Sequence, residues 1–395
     1  MNNKIFTAVL LLCTAHQIVS RPANDPAEPC DPTKCKLPDC RCSSTNIPGD
    51  IPASKIPQIV MVSFDDAVQE QNMGFYQTLF PGKVNPNGCP ISATFFLSHE
   101  YTNYVMVNKL YHQRHAVVDH TITHRTPISW WKDANYTQWY AEIVGQREII
   151  NKIGFVALED VKGFRAPFLQ IGGDNEFKVL SDTKFLFESS MPTQMRDPPL
   201  WPYTLDYRST QECTIPPCPK DSYPGLWEVP MVDWLDLSGK LCNMVDGCTI
   251  PDSEDGTLEL YMKNFQQHYT TNRAPFPMFF HATLFKSHSY TLTALEKFFQ
   301  KILAMKDVWI VTIPQAIEWI RHPTDLDHIS DFTPWKCDHP APPLQCDDST
   351  QTVCGYDANR RLVQPGQPAT HYLFSCLKEC LRCYPWVGDP SGTKC

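Results

Sequence analysis

Between about Ile56 and Arg321 the chain alternates two patterns of apolar positions. One is the short continuous run: QIVMVSF, ISATFFL, HAVVDHT, VKGFRAP, KFLFESS, LWEVPMV, PFPMFFH and DVWIVTI. Runs this short, rich in β-branched and aromatic residues, predict buried strands. The other pattern has a helical period. In NYTQWYAEIVGQREIINKIG, Trp139, Ile143, Ile150 and Ile153 share one face, and in YTLTALEKFFQKILAM, Leu295, Phe299 and Ile302 do the same. Thr293 and Glu296 in the second segment predict a capping box. Strands alternating with helices predict an α/β domain with a mostly parallel sheet. The number of strands and the length of the segment fit a (β/α) barrel. The aromatic excess and the long loop from Met191 to Gly225 predict a distorted one.

The flanks change this picture. MNNKIFTAVLLLCTAHQIVS places one lysine before a short apolar core. That predicts a secretory signal peptide, residues 1–20, and a secreted, extracellular protein. No other segment is apolar for long enough to cross a bilayer. Of 17 cysteines, Cys13 falls in the signal peptide, which leaves an even number. In a secreted chain that predicts disulfides. Residues 21–52 form a Cys-rich lead-in with Cys30, Cys35, Cys40 and Cys42, for which a zinc knot is the alternative to disulfides. Residues 53–325 form the main domain and residues 326–395 a Cys- and Pro-rich extension, read as a structural tail. The formal net charge of -9, without a basic run, argues against nucleic acid and anionic membranes as partners. Asn135 opens an N-glycosylation sequon.

Four features stand at the carboxyl ends of predicted strands, where chemistry gathers in parallel α/β folds. The first strand ends in Asp65-Asp66. Adjacent strand residues point in opposite directions, so one carboxylate can bind a metal while its neighbour reaches a water. A solvated turn is the alternative. HTITH offers His120 and His124, which can chelate one ion if the backbone turns there. A zinc protease carries a glutamate after the first histidine of such a pair, and here Thr121 stands there. An iron oxygenase carries its carboxylate close to the first histidine, whereas this doublet lies far upstream. Arg165 can keep a carboxylate ionised and oriented, or form an ordinary salt bridge. His281 ends an apolar run and can serve as a general acid or as a core residue. Trp130, Trp131, Trp227 and Trp234 can stack on sugar rings or pack the core.

In this order, the aspartate doublet, the H-[ST]-x-x-H pair, the R-x-P segment and the late histidine resemble the polysaccharide deacetylase family, the NodB-like carbohydrate esterases. The resemblance covers roughly residues 56–321. CKLPDCRCSS, WPYTLDY and LWEVPMVDWLDL look most like the arthropod chitin deacetylases, and the chain resembles their short gut-type group, which lacks a chitin-binding domain. The resemblance implies a distorted (β/α) barrel of polysaccharide deacetylase type. It implies one divalent metal, usually zinc, held by Asp66, His120 and His124. Asp65 would be the base, Arg165 its holder and His281 the acid. The Phe168 backbone N–H would line an oxyanion hole. Trp234 would wall the cleft near His281, and Asp233 or Asp236 would tune the acid. The implied substrate is chitin or chitin oligosaccharides, with chitin-matrix proteins as further partners. Alternatives are a chitin-binding matrix protein with little or no catalysis, and a deacetylase of another acetylated polysaccharide. Departures from the family pattern are Ser63 for Thr, Phe168 for Tyr, and Asp119 just before the first histidine, a position more commonly neutral.

Overall fold

Each of the eight apolar runs contains a strand. The computed structural model describes residues 26–364 and 366–395, so the predicted signal peptide lies outside the described residues. The main sheet is built from β1 (Gln58–Asp66), β2 (Thr94–Leu97), β3 (Ala116–Asp119), β4 (Gly163–Phe164), β5 (Phe187–Glu188), β6 (Tyr203–Leu205), β7 (Tyr223–Glu228), β8 (Phe276–His281) and β9 (Val308–Ile310). Its order is β8-β1-β2-β3-β4-β5-β7-β6, with β9 paired to the first residues of β1. All pairs are parallel except β6 with β7. The predicted loop from Met191 to Gly225 therefore holds an antiparallel strand, on which the lead-in rests through Arg41 and Thr204.

The sheet curls into a distorted (β/α) barrel. Arg165, just past β4, lies 4.4 Å from the ring of Phe279 on β8, four strands away. In a flat sheet those strands would stand roughly 19 Å apart. Strand alternation sorts the side chains. Ile59 and Met61 join Phe96, Val118, Phe187, Trp227, Phe279 and Trp309 in the interior. Val60, Val62 and Phe64 pack outward against the helical layer. Full burial of each such large apolar side chain stabilises by about 1.5–3 kcal/mol. Ser63 and Asp65 continue the inward row of β1, and both are buried.

The helix Tyr136–Gly154 buries Trp139, Ile143, Ile150 and Ile153 as the periodicity predicts, and Asn135 caps it with Gln138 in a capping box. The helix Tyr290–Leu303 buries Leu295, Phe299 and Ile302. The capping box predicted at Thr293 and Glu296 does not form. The helix starts four residues earlier, with Ser289 at its N-cap, and Thr293 Oγ1 instead donates to Glu254 and to the Tyr290 carbonyl.

Eight disulfides join the cysteines of the described residues. Cys30–Cys42 and Cys35–Cys40 staple the lead-in, which leaves no thiolate there for a zinc knot. Cys89–Cys337 ties the C-terminal segment to the barrel, Cys346–Cys376 and Cys354–Cys380 hold its hairpin, Thr352–Tyr356 with His371–Ser375, and Cys383–Cys395 closes the last loop. Among the described residues no helix is long and apolar enough to cross a membrane.

Candidate active site

The inner half of the site is Asp65 and Arg165. Both are buried, and Arg165 Nη1 donates to Asp65 Oδ1 at 2.7 Å. Three of the four remaining donors of the guanidinium go to Ser63 Oγ, the Ser189 carbonyl and Ser189 Oγ. Its two faces lie against Phe96 and Phe279, at 4.0 and 4.4 Å. A planar, always charged group held this way fixes both the charge and the rotamer of its carboxylate partner.

The outer half begins one residue later. Asp66 ends β1 with a φ of 78°, a left-handed value that an aspartate tolerates better than a bulkier residue. The turn carries its carboxylate out of the barrel, where its side chain keeps 45% of its exposure. Its Oδ1 lies 3.8 Å from His120 Nε2 and 3.5 Å from His124 Nε2. Donor atoms of the three residues all fall within 4.8 Å of one another. Ligand atoms around one tetrahedral zinc stand roughly 3.4 Å apart, so the set fits a small divalent cation.

Buried carboxylates shape the loop that presents the two histidines. Asp119 Oδ1 accepts from the Thr121 N–H at 2.8 Å. Glu142 accepts from the N–H and the hydroxyl of Thr123 at 2.9 and 2.7 Å. Between them, Thr121 and His124 take left-handed φ values of 69° and 42°. His120 Nδ1 lies 2.7 Å from the Arg165 carbonyl. The carbonyl can only accept, so Nδ1 carries the hydrogen and Nε2 offers its lone pair toward Asp66. Burial lowers the His120 pKa to about 4, against the pull of Asp65, and keeps the imidazole neutral. Phe168, at φ 58° in the turn Pro167–Leu169, lays its ring 4.5 Å from that of His124.

His281 closes the site. Its Nε2 lies 4.0 Å from Asp66 Oδ2, and its Nδ1 bonds Asp246 Oδ2 at 2.8 Å. Asp246 also accepts from the His281 backbone N–H at 3.1 Å. Burial lowers the His281 pKa, but the hydrogen bond and charge of Asp246, with the charges of Asp65 and Asp66, outweigh it and raise it to about 9. The site thus holds a buried base candidate, a cation-sized donor set and a protonated histidine on one end of the sheet.

No family model matches the chain. Two curated relatives from Bombyx mori do. Chitin deacetylase 8 is 40% identical over 370 residues, 93% of this chain and 94% of the relative. Chitin deacetylase 1 is 36% identical over 390 residues, 93% of this chain and 70% of the relative. The chain belongs to the chitin deacetylase family. Its activity class follows: it is a deacetylase, a hydrolase. Among solved structures, a peptidoglycan deacetylase from Bacillus subtilis is 12% identical over 72% of this chain and all of its own, with a TM-score of 0.39.

Two expectations for the deacetylase need correction. Neither Asp233 nor Asp236 bonds His281. Asp236 accepts from Ser238 and Lys240 within its own turn, and Asp233 bonds through its backbone to Thr193 and Arg196. The partner is Asp246, in a turn (Val245–Gly247) that the disulfide Cys242–Cys248 closes. Its signal, an acidic residue in CNMVDGC, matches no local motif, because only the fold brings that turn to the end of β8. Trp234 is no cleft wall. It is buried, donates to the Pro277 carbonyl and stacks on Phe276, at the far end of β8 and roughly 16 Å of strand from His281. Trp131 and Trp227 are core residues too, while Trp130 is half-buried beneath Arg125. Asp119 lies on the outward row of β3 with Val117 and accepts from the Thr121 N–H, and burial holds its carboxyl well above the usual range.

Proposed function

We propose that this deacetylase is a secreted, zinc-dependent chitin deacetylase. It hydrolyses N-acetyl groups of N-acetylglucosamine units to glucosamine units and acetate, in a chitinous extracellular or gut (peritrophic) matrix. Residues 1–20 act as signal peptide, 21–52 as lead-in, 53–325 as catalytic domain and 326–395 as extension. The eight disulfides support an oxidising compartment. Asn135 is exposed and spends its Oδ1 on the helix cap, which leaves Nδ2 for a glycan.

The observation that carries the reading is the convergence of the Asp65–Arg165 pair, the Asp66–His120–His124 set and His281 with Asp246. Two imidazoles and a carboxylate suit zinc and leave open positions. Bound there, the cation supplies Lewis-acid polarisation of the acetyl oxygen and a water acidic enough to attack near neutrality. Asp65 takes the water's proton on Oδ2, the oxygen that Arg165 leaves free. The Phe168 N–H donates to the oxygen on which charge develops. His281 Nε2 gives its proton to the leaving nitrogen, while Asp246 holds Nδ1 and keeps the imidazolium oriented. The water oxygen bonds to the acetyl carbon, the C–N bond breaks, and acetate and a free amine leave.

Acetate release from chitin oligomers, measured with a chelator and after zinc is restored, tests this. Release that the chelator stops and zinc restores is expected. Oligomer binding without acetate would replace the enzyme with a matrix-binding protein. Release only from another acetylated polysaccharide would move the substrate.

A further inference from the structure

The two most exposed large hydrophobic side chains of the described residues, Tyr101 at 73% and Tyr372 at 52%, line the same groove. Its volume is about 460 Å³, within the range of small-ligand sites. Three segments build it. The loop after β1 gives Gln69 and Glu70, a few residues beyond Asp66, and the loop after β2 gives Glu100 and Tyr101. The C-terminal hairpin gives His371 and Tyr372. The first two segments leave the sheet at the carboxyl ends of its strands, the end that holds the candidate active site.

The groove is anchored where it needs to be firm. The Asn103 N–H donates to the Val68 carbonyl at 2.7 Å, which ties the two loops together. A β-bridge from Asn103 to Phe374 docks the hairpin on them. His371 lies 3.8 Å from Glu100 and stacks on the buried Tyr384, with centroids 5.0 Å apart. Tyr101 holds a φ of 67°, costly for an aromatic residue, to face solvent. No lysine or arginine lines the groove; its polar groups are amides, hydroxyls, two carboxylates and the His371 imidazole.

We propose that this groove is a distal sugar subsite, in which Tyr101 and Tyr372 carry rings of a neutral N-acetylated polysaccharide whose reacting unit lies at Asp66 and His281. The extension is then a part of the substrate cleft and not a passive tail. This rests on the proposed function. Open tyrosine faces suit the apolar faces of pyranose rings, and neutral amides suit their hydroxyl and acetamido groups. The lack of basic residues disfavours an anionic polymer.

The test compares kcat/KM on the N-acetylglucosamine hexamer and dimer for the full chain and for Tyr101→Ala, Tyr372→Ala and Tyr101→Trp. The alanine variants should lower the hexamer-to-dimer ratio about three- to tenfold, and Tyr101→Trp should preserve it. An unchanged ratio, or an equal loss on both lengths, overturns the subsite. So does a change confined to sedimentation, which would make the groove a contact between copies. Should the wild type release no acetate, the proposed function alone falls. Hexamer titration of Asp65→Asn, with and without Tyr372→Ala, then decides the groove: weaker binding supports it, equal binding overturns it.

Discussion

Asp65 and Asp66 are neighbours in sequence and belong to two different halves of the site. Asp65 continues the inward row of β1 and is enclosed with Arg165 between two phenylalanine rings. Asp66 leaves the strand in a left-handed turn, and its carboxylate stays half-exposed beside His124 and His281. The inner half is rigid because every guanidinium contact is buried; the outer half is open because something must enter it. One strand end thus places two adjacent carboxylates in different settings, through strand alternation and the left-handed turn at Asp66, and the proposed function gives the proton to the inner one and the cation to the outer one.

The largest expected effect is on turnover. Asp65→Asn should lower kcat by about 10²–10⁴-fold, measured as acetate release. A loss below tenfold would remove Asp65 as base. Next comes stability. Arg165→Ala leaves Asp65 buried and unpaired and should cost about 3–5 kcal/mol in denaturant unfolding. Asp66→Asn, without metal, should move by less than about 0.5 kcal/mol, since asparagine tolerates the same φ. Equal losses would erase the distinction between the halves.

The third effect is on pH dependence. His281 carries a raised pKa, so its acid form is present below about 9 and lost above it. Its contribution to stability runs the same way: complete below the unfolded value near 6.5, lost as pH rises through the folded value. Asp246→Asn should therefore move the alkaline limb of kcat to lower pH, by about one pH unit or more. A limb that stays put would detach Asp246 from the acid. The smallest effect is expected from Phe168→Tyr, which restores the commoner family residue on an exposed ring. It should change kcat/KM by less than about threefold and leave stability within about 0.5 kcal/mol.

The fold was legible wherever burial leaves a pattern. Eight apolar runs became strands, and both periodic faces became buried helix faces. Tyr203–Leu205 was not legible, because WPYTLDY carries a proline and little alternation, and its strand is made by pairing with β7. Thr293 and Glu296 fit a capping box equally well inside a helix, so that signal could not fix the start. In the site, the doublet and the histidine pair stood out because their spacing is local. Asp246 reaches His281 only through a disulfide-closed turn, and Trp234 reaches the core only through packing. Tertiary contacts of that kind leave no mark on a single sequence.

The central claim is that adjacent carboxylates divide the work. Elemental analysis of purified wild type, Asp65→Asn and Asp66→Asn, loaded and washed in parallel, tests it most directly. The account predicts wild-type metal content in Asp65→Asn with turnover abolished, and reduced metal content in Asp66→Asn. Equal metal loss in both variants would contradict it.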